Sequence, residues 1–267
     1  MCVSVRYLTI VAVAVLLSES SAMAGALQDC AAANERQDYA EALRLCRPLA
    51  EQGDALAQTT LGIMYEQGLG VAQDYGEAVK WFRQAADQGY ASAQVFLGMA
   101  YANGRGVTKD YGEAAKSYRK AAEQGDENGQ TSLGLMYEYG RGVAQDYAVA
   151  MKWYHKAADE GDKDGQTMLG RMYEYGHGVP QDYGEATKWY GKAADQNYAF
   201  AQTHLGLMYQ QGHGVPQNYV LAHMWYNLAG AQGYDYPKKA GNELAAKMTP
   251  DQIAQSQRLA REWKPTK

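Results

Sequence analysis

The chain has 267 residues, 46% apolar and 21% charged, which is the balance of a soluble globular protein long enough to bury a substantial core. Its formal net charge of −5 argues against a nucleic-acid partner, which would call for a basic face. Tyrosine outnumbers phenylalanine 22 to 3, as suits a surface-rich fold whose rings cover half-buried ground while their hydroxyls stay near water.

Residues 1–24 read as a secretory leader, with Arg6 in a short basic region, an apolar run from Tyr7 to Leu17, and Ala22-Met23-Ala24 as the cleavage signal before Gly25. The run is about 11 residues, against the roughly 20 of a membrane-spanning helix, so no stable membrane insertion is expected after cleavage. The mature chain keeps a charge of −5, because the leader carries one Arg and one Glu. A periplasmic or secreted location follows. Cys2 leaves with the leader, so Cys30 and Cys46 remain in an oxidising compartment and are expected to pair.

Residues 25–53 form an amino-terminal cap. Asp38-Tyr39-Ala40-Glu41-Ala42 lies one repeat length, 36 residues, upstream of Asp74-Tyr75-Gly76-Glu77-Ala78, so this segment reads as half a repeat. A Cys30 to Cys46 bridge would staple an end that lacks a neighbour on one side.

From residue 54 the chain repeats every 36 residues without insertion: 54–89, 90–125, 126–161, 162–197 and 198–233. Leu61-Gly62 and Tyr65 recur in all five units, most distantly as Leu205-Gly206 and Tyr209. Next comes a Gly-x-Gly-Val loop, Gly68 to Val71 in the first repeat, whose paired glycines mark a turn with unusual backbone angles. Asp74, Asp110, Asp146, Asp182 and Asn218 then stand as N-caps of a second helix. In three repeats Glu77, Glu113 or Glu185 follows at the spacing of a capping box. That helix ends at Gly89, Gly125, Gly161, Asn197 or Gly233, residues that tolerate the left-handed conformation. Each repeat is therefore helix A, turn, helix B.

Residues 234–267 depart from the pattern and form carboxy-terminal capping helices. Lys238 to Met248 reads as one helix, and Thr249-Pro250-Asp251-Gln252 supplies the N-cap, N1 proline and N3 glutamine of a closing helix over 250–263.

The L-G-x-x-Y-x-x-G-x-G-V-x-x-[DN]-Y-x-x-A pattern, with its downstream aromatic and Ala-Ala pairs, resembles the Sel-1-like repeat family, relatives of the tetratricopeptide repeats. The resemblance covers residues 54–233 and implies an all-α fold, a right-handed α-solenoid of helix-turn-helix repeats. It also implies an adaptor that binds proteins, in bacteria often an exported one serving envelope signalling, assembly or host contact. No cofactor is implied, and the chain is expected to act as a monomer.

Comparison among the repeats separates architecture from specificity. The unvarying helix-A positions of Gln58, Leu61, Gly62 and Tyr65 fall within a sector of about 100° and should face the core. The most variable positions, those of Leu56, Thr60, Ile63 and Gln67, share the opposite stripe. In later repeats that stripe holds Phe96, Met99, Tyr139, Met168, Arg171, Tyr175 and His204. Tyr, Met and Arg concentrate binding energy at interfaces, so these seven residues are the candidate partner-binding set.

Catalytic and metal readings are weaker. Ser117-Tyr118-Arg119-Lys120 matches the S-x-x-K motif of penicillin-recognising enzymes, and some cysteine-rich relatives have been linked to β-lactam hydrolysis, which makes a β-lactam hydrolase the alternative. Neither S-D-N nor K-T-G occurs, and Ser117 fills a column that is Trp in the other repeats. His177 and His213 sit in equivalent loops a whole repeat apart, without the three or four ligands zinc prefers, so no metal site is expected.

Overall fold

A computed structural model describes residues 25–266. The leader expected over 1–24 lies outside the described residues.

The described chain is all helix, and it divides into two compact units that meet in sequence at Gln124 and Gly125. The first unit holds α1 (25–35), α2 (Tyr39–Glu51), α3 (Ala55–Gln67), α4 (Tyr75–Asp87), α5 (Ala91–Asn103) and α6 (Tyr111–Glu123). The second holds α7 (Glu127–Tyr139), α8 (Tyr147–Asp159), α9 (Lys163–Tyr175), α10 (Tyr183–Asp195), α11 (Ala199–Gln211), α12 (Tyr219–Ala231), α13 (Asp235–Ala245) and α14 (Pro250–Glu262). Within each unit every helix from α2 to α13 packs on the next, and α14 returns to α12, as in a helical repeat solenoid.

Capping sets the phase of the repeat. Asp74 accepts hydrogen bonds from the backbone N–H groups of Gly76 and Glu77, and Asp110, Asp146, Asp182 and Asn218 cap their helices likewise. Each such cap is worth about 1 kcal/mol. The capping boxes expected at Glu77, Glu113 and Glu185 do not form. Those carboxylates turn one turn forward to Lys80, Lys116 and Lys188, which share their helix face. The box at Thr249 and Gln252 does form, with Pro250 at the start of α14.

The two glycines of each loop have different duties. Gly68 (φ +73°) ends α3 in the left-handed conformation, its N–H donating to the Met64 carbonyl. Gly70 (φ +70°) touches the preceding helix B, where a Cβ would stand 2.6 Å from the carbonyl oxygen of Tyr39.

The mid-helix glycines admit a ring. A Cβ on Gly62 would lie 2.5 Å from Phe82, and one on Gly170 would lie 2.6 Å from Tyr190. The helix-propensity cost of about 1 kcal/mol per glycine is offset by letting helix B lay an aromatic ring flat against helix A. Phe82, Tyr154, Tyr190 and Tyr226 are fully buried this way, among alanines such as Ala85, Ala157 and Ala193.

The invariant glutamines cross-link the layers. Gln58 Nε2 donates to the Ala50 carbonyl of the helix before, and Gln58 Oε1 accepts from Gln88 at the end of its own repeat. Gln94 with Gln124, Gln166 with Gln196 and Gln202 with Gln232 repeat the second bond at 2.8–2.9 Å.

The ends are closed differently. Cys30 and Cys46 are disulfide-bonded, tying α1 to α2 across a Cα separation of 5.2 Å. At the other end Trp263 meets Trp225 edge to face, and the buried His223 contacts the buried Ser256 of α14. The helix expected from Lys238 begins earlier, at Asp235, since Pro237 in its first turn needs no N–H partner.

Candidate partner-binding surface

Every position of the variable stripe lies on a helix A, and the exposed large apolar side chains of the repeats all belong to it. They are Leu56, Met99, Tyr139, Tyr175 and Phe200, at 39–53% exposure. The other candidates are half-buried. In the first unit Phe96 stacks on Phe82 with ring centroids 5.0 Å apart, leaving Met99 to project.

In the second unit the half-buried members form a charged layer beneath the exposed ones. The hydroxyl of Tyr154 donates to Glu138 Oε2 at 2.6 Å, and this carboxylate is 3% exposed. Arg171, one repeat further on, reaches back to Glu138 Oε1 at 3.3 Å and donates to the hydroxyl of Tyr139 at 2.9 Å. Tyr139 is therefore an exposed ring held by a charge-assisted hydrogen bond to a partly buried cation. Met168 packs below it on the cluster around Ala150 and Tyr154.

The same layer recurs with other residues. Tyr190 donates to Glu174 Oε2 at 2.5 Å. His204 Nδ1 lies 3.3 Å from that oxygen, too poorly aligned for a hydrogen bond, and its ring stacks on Tyr190 and tilts against Phe200, each at 4.8 Å. Burial alone would raise the Glu174 carboxyl, but the neighbouring His204 and Tyr190 outweigh it and hold the group below its ordinary value. Burial pushes the phenols of Tyr154 and Tyr190 far above theirs, so both remain donors.

The strip then broadens into a groove. Ala199, Phe200, Thr203, His204 and Leu207 form one wall and Tyr234, Asp235, Tyr236 and Pro237 the other, around about 410 Å³. The structure thus brings Tyr139, Met168, Arg171, Tyr175 and His204 onto one surface of the second unit, and places Phe96 and Met99 on the first. Sequence reading missed Glu138, Glu174, Tyr234 and Tyr236. The first two carry a usable signal: an acid 16 residues before a tyrosine, facing it across the hairpin.

The sites set aside on sequence have structural roles. Ser117 is buried, its hydroxyl donating to the Glu113 carbonyl of its own helix. His177 and His213 stack on Tyr147 and Tyr183 of the preceding repeat. Among the described residues no group of three or more His, Cys, Asp or Glu side chains could hold a metal ion.

The family model for the Sel1 repeat matches residues 33–54, 55–90, 91–126, 128–162, 163–198 and 199–234. The chain belongs to the Sel1 repeat family. The partial first match falls on the segment read as half a repeat.

Among solved Sel1 repeat structures, a protective antigen present in uropathogenic Escherichia coli strains is 38% identical, with a TM-score of 0.70. The match covers 82% of this chain but 48% of the antigen, so this chain spans about half that protein. The Sel1 repeat protein from Oxalobacter formigenes is 29% identical over 91% of this chain and 97% of its own, with a TM-score of 0.75. A sel1 repeat protein from Klebsiella pneumoniae is 26% identical over 75% and 97%, with a TM-score of 0.52. No curated protein matches the chain. The Sel1 scaffold fits protein–protein interaction.

Proposed function

We propose that this Sel1 repeat protein is an exported, monomeric scaffold, five 36-residue repeats between a half-repeat cap and closing helices, that binds a protein partner through the variable stripe of its A helices. Phe96 and Met99 serve in the first unit, and Tyr139, Met168, Arg171, Tyr175 and His204 in the second. The observation that carries the reading is the mounting of Tyr139. An exposed ring fixed from below by Arg171 and buried Glu138 loses little freedom on binding, which is what makes an aromatic anchor strong. Export is supported by the leader-like residues 1–24 and the Cys30–Cys46 bridge, together with the lack of any membrane-spanning helix among the described residues. A role in envelope signalling, assembly or host contact suits such a protein, and the E. coli relative being a protective antigen is in keeping with it.

The test uses the exposed members, whose removal leaves the core intact. A chain carrying Met99→Ala, Tyr139→Ala and Tyr175→Ala should lose the proteins that crosslink to the wild type in an envelope fraction. Its helical circular-dichroism signal and melting temperature should stay nearly unchanged. An unaltered set of crosslinked proteins would overturn the assignment of this surface.

A further inference from the structure

The groove between α11 and the start of α13 has a composition the rest of the stripe lacks. Three of its lining residues are exposed aromatics: Phe200, Tyr234 and Tyr236, at 46–59% exposure. A tyrosine or phenylalanine ring presents a negative face, and water covers such rings at a cost in free energy. The one acidic side chain in the lining is Asp235, which is exposed and forms no ion pair. Behind the wall, Glu174 is held ionised beside His204.

No lysine or arginine lines the groove, and the basic side chains on the helices around it make contacts of their own. Arg171 is paired with Glu138, and Lys239 with Glu243. Lys163 lies over the Tyr198 ring, and the stem of Lys238 is laid against Gly230 of α12. An anionic ligand would meet the Asp235 carboxylate, with no lysine or arginine in the lining to offset it. A purely apolar one would bury Asp235 without compensation, which is unfavourable for a charge. A cation meets both needs, because ring faces and an unpaired carboxylate attract it together.

Resting on the protein-binding reading above, we infer that this groove receives a lysine or arginine side chain of the partner, so that the partner presents a basic segment to the carboxy-terminal end of the stripe. The commitment to a protein side chain, rather than a free amine, comes from continuity. Phe200 lines the groove and touches His204, which leads back through Glu174 to α9 and the exposed Tyr175. A chain lying along the stripe would reach the groove without leaving the surface.

The experiment is calorimetric titration of the full chain with hexalysine, hexaglutamate and choline at physiological salt. Hexalysine should bind, more tightly than choline, and hexaglutamate should not. Asp235→Asn and the double variant Tyr234→Ala, Tyr236→Ala should each weaken hexalysine at least tenfold, whereas Asp251→Asn, on α14, should leave it unchanged. The targeted side chains are exposed, and an unchanged melting temperature confirms folding. Equal hexalysine affinity in all variants, or none in the wild type, overturns the inference, and tighter binding of choline overturns the commitment to a partner side chain. Loss of partner in the stripe variants with no effect of the groove variants on hexalysine would leave the stripe standing and remove the groove.

Discussion

His223 Nδ1 lies 2.7 Å from the hydroxyl of Ser256, and this contact between two buried side chains fastens α14 to α12. The Ser256 hydroxyl donates to the Ile253 carbonyl, and Asn227 stands 3.2 Å from the same imidazole nitrogen. Burial lowers the pKa of His223. Below the unfolded-state value of about 6.5, the unfolded chain takes up a proton that the folded chain resists, so stability falls as pH drops through that value and is retained above it.

The wild type should therefore melt at a lower temperature at pH 5.5 than at pH 7.5, and His223→Gln should show a smaller difference between the two. Thermal melts followed by circular dichroism check this. An equal pH slope in the variant would remove His223 as the source.

Two glycines in the second unit should respond oppositely to alanine. Gly170 faces the fully buried Tyr190 ring, which cannot withdraw because its hydroxyl is bonded to Glu174. Gly170→Ala should cost about 1–3 kcal/mol through overpacking, more than the helix propensity returns. Gly191, inside α10, has nothing within 4 Å of a Cβ, so Gly191→Ala should stabilise by about 0.5–1 kcal/mol. Denaturant midpoints measured on the pair test the sign of each.

The glutamine cross-link is broken in one repeat. Gln130 Oε1 is buried with no hydrogen-bond donor, because Glu160 occupies the position held by Gln88, Gln124, Gln196 and Gln232 elsewhere. Glu160→Gln should supply the missing donor and stabilise the protein by about 0.5–1.5 kcal/mol. It should also relieve Glu127, whose carboxyl is raised first by burial and then by the charges of Asp162 and Glu160. The expected rise in melting temperature is about 2–4 °C per kcal/mol for a chain of this size. No rise would mean that the oxygen is satisfied in another way.

Features that every repeat must share were legible in the sequence. The caps at Asp74 and its equivalents, the loop glycines, the ring-facing Gly62 column and the Cys30–Cys46 pairing each follow from local chemistry or from the count of residues. What differs between repeats was not. Glu77 chooses Lys80 over the backbone because an ion pair on one helix face competes with the capping box at nearly equal free energy. Arg171 and His204 looked like free surface groups, yet each is drawn inward by a carboxylate 33 or 30 residues upstream. The second wall of the groove, Tyr234 to Pro237, lies just where the repeat pattern stops and comparison among repeats no longer helps.

Gly70, Gly106 and Gly214 each lie closest to main-chain atoms of the first residue of the preceding helix B. A joint made of main chain does not depend on the side chains around it. This part of the junction therefore tolerates a change of side chain at the start of helix B, and the outward columns of helix A can drift toward a new partner while it stays fixed. The chain is in this sense a rack whose reading surface is free to evolve on a different clock from the frame that carries it.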